Sequence, residues 1–301
     1  MIAPPALRPG DAVSVVAPSG PFERAPFEAG VAVLRALGLE PRFDDRLFAR
    51  FRYLAGADAD RLALWEEAVA DGGTRAIWCA RGGYGALRLL PSLRLRALLD
   101  RPKLFAGFSD ATALHAALNG RGLRTLHAPV LTQLGSQPAA VVDRLRASLF
   151  SPAPPPPLEA APVTTLVPGR ARGVLLGGNL ATLGHLAGTP FLPSLAGAIL
   201  LLEDVGERPY KLDRLWTQLS LARAFEGVRG VAVGELTHCE EKEAGYQALD
   251  VMRDLCRSLG VPAAAGFAVG HGEINQPLPL GAQVELDAGA GRLTFLEGAV
   301  E

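Results

Sequence analysis

Residues 103–119 of the chain read KLFAGFSDATALHAALN, a stretch in which one structural pattern gives way to another. Residues 103–107, in which an apolar run follows Lys103, predict a buried strand, and a short polar turn containing Ser109 follows it. Residues 111–119 then predict a helix. The stretch is therefore interpreted as a strand–turn–helix unit with Ser109 in its turn.

The same order of elements occurs upstream of this unit. Residues 12–17 predict a strand, apolar residues at helical spacing between 27 and 37 predict a helix, and residues 75–80 predict a further strand. Strands that alternate with helices in this way pair in parallel, and the helices cover both faces of their sheet. The fold class is therefore predicted to be α/β, with a flavodoxin-like parallel-sheet domain in the first half.

A proline-rich segment marks the predicted boundary between two domains. Residues 151–169 contain seven prolines, and consecutive prolines favour an extended, semi-rigid connector. We predict an N-terminal α/β domain at residues 1–150, a linker at residues 151–169 and a C-terminal domain at residues 170–301. Strands and turns are denser beyond the linker, which predicts a smaller, mixed α/β, barrel-like second domain.

Charge and composition exclude several classes of partner. The chain has 30 Lys and Arg against 31 Asp and Glu, a formal net charge of −1, so no basic field is available to bind nucleic acid. The N-terminus lacks the basic and apolar regions of a signal peptide, and the apolar runs are shorter than the roughly 20 residues of a membrane span. Three cysteines without C-x-x-C spacing indicate a reducing compartment. We therefore predict a cytoplasmic protein that binds neither nucleic acid nor a membrane.

Ser109 is the first candidate for a catalytic residue. A strand-to-helix turn projects a hydroxyl away from the sheet, and the small residues Gly107 and Ala111 let the backbone turn there. The N-terminus of the following helix would favour negative charge that develops near the hydroxyl. The alternative is that Ser109 or Asp110 simply caps the helix.

His271 is the candidate general base among five histidines. It lies between Gly270 and Gly272 after an apolar run, which would present it at a strand end without bulky neighbours. The alternative is a turn histidine with no catalytic task. The sequence places the other four in a helix, at a strand end, in a second helix and in a polar segment: His115, His127, His185 and His238.

A carboxylate that orients the imidazole would complete a charge relay. Glu203 directly follows the apolar strand predicted at residues 197–202, whereas Glu207 lies in a looser glycine–proline turn. A strand end restricts a side chain more strongly than such a turn does. Glu203 is therefore preferred, with Glu207 as its rival.

Two glycine-rich loops indicate close approach of a ligand to the backbone. Residues 81–85 read RGGYG and residues 177–180 read GGNL, and backbone amides in such loops can bind an oxyanion or a phosphate. Neither loop has the Lys-Ser/Thr of a Walker A motif or the full pattern of a dinucleotide-binding loop. Nucleotide binding stays open as an alternative, while the lack of an H-E-x-x-H motif argues against metal catalysis.

Seven motifs occur in the order in which they occur in LD-carboxypeptidases. The chain resembles this family, which includes muramoyl-tetrapeptide carboxypeptidases and microcin C immunity peptidases, from about residue 13 to residue 281. The motifs are VAPSGP at 16–21, RGGYG at 81–85, GFSD at 107–110, GGNL at 177–180, EDVGE at 203–207, YKLDR at 210–214, and the segment from Gly270-His271 through Asn275 to LPLG at 278–281.

The resemblance implies a serine peptidase whose N-terminal domain supplies the nucleophile and whose C-terminal domain supplies two further catalytic residues. It makes Ser109 the nucleophile, His271 the general base and acid, and Glu203 the carboxylate that orients the histidine. The backbone amides of Gly83 and Asp110 would form the oxyanion hole. No metal or organic cofactor is implied.

The substrate implied by the resemblance is a small peptide, namely a murein tetrapeptide cleaved during peptidoglycan recycling between an L-configured centre and a terminal D-amino acid. Arg81 or Arg208 is a candidate for binding the substrate carboxylate, and Gly82 and Asn179 are further candidates for substrate contact. A homodimer is a candidate assembly. Two alternatives stay open: a microcin C immunity-type or other amide or dipeptide hydrolase with the same triad, and a non-catalytic ligand-binding protein.

Overall fold

The computed structural model describes residues 1–241 and 245–301, which form two β-sheets and the helices that cover them. The strands are β1 (Ala12–Val16), β2 (Glu40–Arg42), β3 (Thr74–Cys79), β4 (Leu104–Gly107), β5 (Thr125–His127), β6 (Leu158–Glu159), β7 (Thr164–Val167), β8 (Arg170–Asn179), β9 (Ala198–Val205), β10 (Gly230–Thr237), β11 (Ala263–Ala265), β12 (Leu278–Leu280), β13 (Gln283–Asp287) and β14 (Arg292–Phe295). The α-helices are α1 (Arg24–Ala36), α2 (Asp58–Ala70), α3 (Ala86–Leu89), α4 (Ala97–Asp100), α5 (Thr112–Asn119), α6 (Leu131–Leu134), α7 (Ala139–Phe150), α8 (Leu180–Leu186), α9 (Pro209–Leu221) and α10 (Ala248–Leu259). Among these helices, none combines the length and apolar character needed to span a bilayer.

The first sheet has six strands in the order β12-β5-β4-β3-β1-β2. The five strands from the first half of the chain pair in parallel. Every residue of β1 and β4 is buried, as expected of strands covered by helices on both faces. This arrangement confirms the predicted α/β class.

The second sheet has eight strands in the order β6-β14-β13-β8-β9-β10-β11-β7. Its middle strands β8, β9, β10 and β11 are parallel, and β13 and β7 pair antiparallel with the two ends of this group. The prediction of a mixed α/β second domain is therefore confirmed.

Part of the proline-rich segment belongs to the second sheet, whereas the sequence predicted that the whole segment is an extended linker. Within it, β6 pairs with β14 and β7 pairs with β11, so these two short strands form the edges of the eight-stranded sheet. Edge strands tolerate nearby prolines because one row of their backbone groups needs no partner in the sheet. The prolines therefore flank two strands instead of forming one extended linker.

The two halves of the chain also exchange contacts that the sequence did not indicate. Strand β12 comes from the second half but completes the first sheet, with Leu278 paired to His127. At the C-terminus, the N–H of Glu301 donates to the carbonyl of Pro4 at 2.9 Å. Such pairing between distant segments leaves no mark on local periodicity. The boundaries at residues 150 and 170 stay a prediction.

The carboxyl ends of the parallel strands bring the motif residues together. In the first sheet, β1, β3 and β4 lead into the loops that carry Ser19, Gly82 and Ser109. In the second sheet, β8 ends at Asn179 and β9 carries Glu203 near its end. Ligand sites of open α/β sheets lie beyond the carboxyl ends of their strands, and this edge is accordingly where the candidate site is found.

Candidate active site

Ser109 lies in a strained turn between β4 and α5. The residue begins a short 3₁₀ turn, Ser109–Ala111, and has a φ of 64°, which places it in the left-handed region. A residue other than glycine enters that region only at a cost, and such strain is typical of a nucleophile presented at the top of a sheet.

The carboxylate of Asp110 holds this turn in place. Its Oδ2 accepts a hydrogen bond from Ser19 Oγ at 2.6 Å and another from the backbone N–H of Ala86 at 2.8 Å. Asp110 is buried, and burial raises the pKa of its carboxyl. Sequence reasoning gave Asp110 a role through its backbone amide or as a helix cap, but missed its contact with Ser19, although the motif VAPSGP contains that serine.

Glu203, His271 and Ser109 form a continuous chain of hydrogen bonds. Ser109 Oγ lies 2.9 Å from His271 Nε2, and His271 Nδ1 lies 2.6 Å from Glu203 Oε2. The ring of Phe108 packs against the imidazole with 4.8 Å between ring centroids. The structure therefore brings together the three residues that the sequence singled out from separate regions of the chain.

The environment of Glu203 determines the protonation of His271. The Glu203 side chain is completely buried, and its Oε1 has no hydrogen-bond partner among the described residues. Burial lowers the pKa of His271, but the hydrogen bond and the charge of Glu203 outweigh that effect, and the pKa is raised overall. Because the carboxylate accepts the proton on Nδ1, Nε2 faces Ser109 as a proton acceptor.

The neighbouring acid, Asp204, has a different task. Its carboxylate accepts hydrogen bonds from the side chain of Asn179 and from the backbone amides of Ala181 and Val205. Burial, followed by the charge of Glu203, raises the pKa of Asp204 to about 6. Asp204 therefore ties β9 to the start of α8.

Asn179 caps α8 with its side chain. Its Oδ1 accepts from the backbone N–H of Thr182 at 3.0 Å, which satisfies one of the free amides at the helix start. Asn179 also lines a small cavity beside Ser109. Its contact with substrate stays a prediction.

Two cavities meet at Ser109. The larger has a volume of about 390 Å³ and is lined by Arg81, Gly82, Gly83, Phe108, Ser109, Val130, Thr132, Gln133, Val205 and His271. The smaller, of about 190 Å³, is lined among others by Tyr84, Asp110, Asn179, His185 and Glu207, and Gly83, Ser109 and Val205 line both cavities. A bound molecule could therefore extend on both sides of the hydroxyl.

The two candidate arginines lie in different places. Arg81 lines the larger cavity, where its guanidinium also donates to the carbonyl of Pro21. Arg208 precedes α9, and its guanidinium lies 3.8 Å from the carboxylate of Glu241. It lines neither of the two cavities at Ser109.

Three other residues considered as bases or orienting groups have separate partners. Glu207 pairs with Lys211 at 3.2 Å. His115 is buried between Thr125 and the carbonyl of Gly107. His127 is buried and contacts Asn275.

Within residues 1–241 and 245–301, no cluster of three or more His, Cys, Asp or Glu residues could hold a metal ion.

Gly82 passes so close to the nucleophile that no side chain fits. A Cβ on Gly82 would lie 2.7 Å from Ser109 Cβ and 2.8 Å from its Oγ. The loop is also fixed from the other side, because Gly20 N–H donates to the carbonyl of Gly82 at 3.0 Å. The lack of a side chain at Gly82 thus lets the backbone of the glycine-rich loop approach the turn that carries Ser109.

Replacing Gly82 with alanine should displace the Ser109 hydroxyl. Displacement of a reacting group by about 1 Å can cost about 10²-fold in rate, and we expect a loss of that order in labelling by a serine-directed fluorophosphonate. Gly72→Ala is the matched control, since a Cβ there would meet no atom within 4 Å. Labelling of Gly82→Ala at the parent rate would contradict the argument.

Comparisons with known proteins agree with this architecture. The LD-carboxypeptidase N-terminal domain matches residues 13–128, and the LD-carboxypeptidase C-terminal domain matches residues 172–286. A Streptomyces coelicolor protein named as a carboxypeptidase is 43% identical over 98% of this chain and 96% of its own length. The murein tetrapeptide carboxypeptidase of Pseudomonas aeruginosa is 35% identical, over 91% of this chain and 92% of its own.

A solved structure supports the same fold over the full length. The wild-type microcin C7 self-immunity protein aligns with a TM-score of 0.90 over 100% of both chains, at 22% identity. That likeness concerns the fold, whereas the family models and the two relatives concern the sequence itself. Together, they show that the chain belongs to the LD-carboxypeptidase family of peptidases.

Proposed function

We propose that the protein is a serine carboxypeptidase that removes the terminal D-amino acid from a murein tetrapeptide, by cleaving its amide bond to an L-configured centre. The observation that carries the proposal is the hydrogen-bonded chain from Glu203 through His271 to Ser109, which ends where two cavities meet. The name of the P. aeruginosa relative supports the choice of substrate.

The first half of the reaction forms an acyl-enzyme. His271 Nε2 takes the proton of Ser109 as its oxygen attacks the amide carbonyl, and Glu203 stabilises the imidazolium that results. The backbone amides of Gly83 and Asp110 bind the oxyanion in this proposal, since both residues border Ser109 in the cavities. The imidazolium then gives its proton to the departing amine, and the carbon–nitrogen bond breaks.

The second half releases the shortened peptide. Water enters the place of the departed D-amino acid and loses a proton to His271 Nε2 as it attacks the ester carbonyl. The tetrahedral intermediate collapses, the proton returns from His271 to Ser109 Oγ, and the carboxylic acid leaves and ionises by losing its proton to solvent. One histidine thus carries each proton that is transferred at the reacting centre.

An exopeptidase must also recognise the free carboxylate of its substrate. Arg81 is the better candidate of the two arginines, because it lines the larger cavity, whereas Arg208 faces Glu241. A guanidinium can bind a carboxylate through two parallel hydrogen bonds. In this proposal, the departing D-amino acid therefore occupies the larger cavity and the acyl portion occupies the smaller.

Incubation of the purified protein with murein tetrapeptide should release D-alanine, and the same peptide with terminal L-alanine should be a poor substrate. Release is measured by chromatography, with Ser109→Ala as the blank. Cleavage of an aminoacyl sulfamoyl adenosine but not of the tetrapeptide would transfer the assignment to the microcin-type alternative. Failure of a fluorophosphonate to label Ser109 would instead support a non-catalytic binding protein.

The proposed setting is the cytoplasm, where the peptidase would serve peptidoglycan recycling. The three cysteines support a reducing compartment, since all are buried as free thiols. A homodimer stays a prediction, which light scattering of the purified protein would test.

A further inference from the structure

A buried hydrogen-bond network fixes the loop that carries His271. At its centre is Asn275, whose side chain is completely buried. Asn275 Oδ1 accepts from the backbone N–H of Gly270 at 2.9 Å and lies 3.1 Å from His127 Nε2. Asn275 Nδ2 donates to Gln133 Oε1 at 3.0 Å, and the backbone N–H of Asn275 donates to Gln137 Oε1 at 2.9 Å. Every polar group of this side chain is thus engaged.

These contacts also determine the tautomer and the protonation state of His127. Because Asn275 Oδ1 is an acceptor, His127 must carry its proton on Nε2. The other ring nitrogen, Nδ1, is buried and has no partner among the described residues. A second proton there would be buried without an acceptor, and burial accordingly lowers the pKa of His127 to about 3. His127 is therefore a neutral donor throughout the ordinary pH range.

The network joins the two parts of the chain that must meet in catalysis. His127, Gln133 and Gln137 belong to the first half, which carries Ser109, while Asn275 and Gly270 belong to the loop of His271. The pairing of β12 with β5 begins three residues after Asn275 and anchors the same loop.

The loop has little freedom at Gly270. The φ of Gly270 is 119°, and a Cβ there would lie 2.5 Å from Glu203 Oε2. A small shift of this residue would therefore change both the Glu203–His271 contact and the His271–Ser109 contact.

We propose that Asn275 is a positioning residue for the reaction: its amide, oriented by His127 and Gln133, holds the loop of residues 270–275 so that His271 stands between Glu203 and Ser109. The kinetic part of this inference rests on the proposed function. The structural part does not, because the hydrogen bond from His271 Nδ1 to Glu203 can be observed without any substrate.

A pair of His127 variants tests the proposal. His127→Leu removes the donor to Asn275, whereas His127→Gln retains an N–H donor at the end of a side chain of similar reach. We expect kcat for D-alanine release to fall about 10-fold or more in His127→Leu and to recover to within about threefold of the parent in His127→Gln, with KM little changed. Asn275→Ala should lose about 10²-fold in kcat.

Arg144→Met is the matched control. Arg144 also bridges the two halves, donating to the carbonyl of Pro277 at 3.2 Å, and its guanidinium lies 5.1 Å from the centroid of the Phe295 ring. It touches neither Asn275 nor Gly270 among the contacts of the described residues. We expect Arg144→Met to lower the melting temperature but to leave kcat unchanged within about twofold.

A substrate-free readout separates this inference from the proposed function. The proton on His271 Nδ1, in a 2.6 Å hydrogen bond to Glu203, should give a downfield proton NMR resonance that is retained in His127→Gln and broadened or lost in His127→Leu. If the parent enzyme fails to cleave murein tetrapeptide but shows this pattern, the proposed substrate is wrong and the positioning role stands. An unchanged resonance and unchanged kcat in folded His127→Leu, or an equal kcat loss in Arg144→Met, would overturn the positioning role.

Discussion

Ser109→Ala should lower kcat for D-alanine release by about 10³-fold or more, as removal of the nucleophile does in enzymes with a catalytic triad. Only this hydroxyl lies within hydrogen-bond distance of His271 Nε2 among the described residues. Alanine removes a single oxygen and leaves the Asp110 contacts that hold the turn. The melting temperature should therefore stay within a few degrees of the parent value.

A surface serine provides the control for that variant. Ser258 is exposed on α10, where its hydroxyl donates to the carbonyl of Leu255, and Ser258→Ala should retain full activity. Some activity above the uncatalysed rate should survive in Ser109→Ala, because binding and oxyanion stabilisation persist without the nucleophile. A kcat within tenfold of the parent would show that Ser109 is not the nucleophile.

Local pattern was sufficient to find the parts of the site that lie at strand ends. The turn at Ser109 could be predicted from an apolar strand, two small residues and a helix, which are all adjacent in sequence. The choice of Glu203 depended on the long apolar run that precedes it, although the strand formed by this run continues past Glu203 to Val205. In both cases, the information lies within about ten residues.

What the sequence could not supply are contacts between distant segments. The role of the Asp110 side chain depends on Ser19, 91 residues away, and that of Asn275 depends on His127, 148 residues away. Strand β12 likewise joins a sheet whose other strands are all formed before residue 130. No periodicity or turn propensity encodes such partners. The order of elements along the chain therefore suggested two halves that are more independent of each other than they are in the structure.

The proline-rich segment shows that amino-acid composition alone does not predict secondary structure reliably. Seven prolines predicted an extended connector, yet the residues between them form two edge strands of the second sheet. Proline restricts its own φ and removes one donor, but it does not prevent its neighbours from pairing.

Glu203→Gln should lower kcat by at least about 10²-fold, because loss of the charge destabilises the imidazolium and frees the histidine to adopt the wrong tautomer. The substitution keeps the size of the side chain within a completely buried site. Glu207→Gln is the matched control. Its carboxylate lines the smaller cavity but pairs with Lys211, is partly exposed and does not contact His271, so its loss should change kcat by less than about fivefold, and any effect on substrate binding should fall on KM. The reverse ranking would move the orienting role to Glu207.

The pH dependence adds a second, independent test of Glu203. His271 must be neutral to accept the Ser109 proton, so kcat/KM of the parent should be lost as the pH falls through the pKa of His271, which lies above the ordinary histidine value. Burial alone lowers this pKa, and the hydrogen bond and charge of Glu203 are the first effects that raise it. In Glu203→Gln, burial remains while the charge is lost, so the acidic limb of the profile should move to lower pH. A limb that stays in place, or one that moves in Glu207→Gln instead, would show that Glu203 does not set the protonation of the catalytic base.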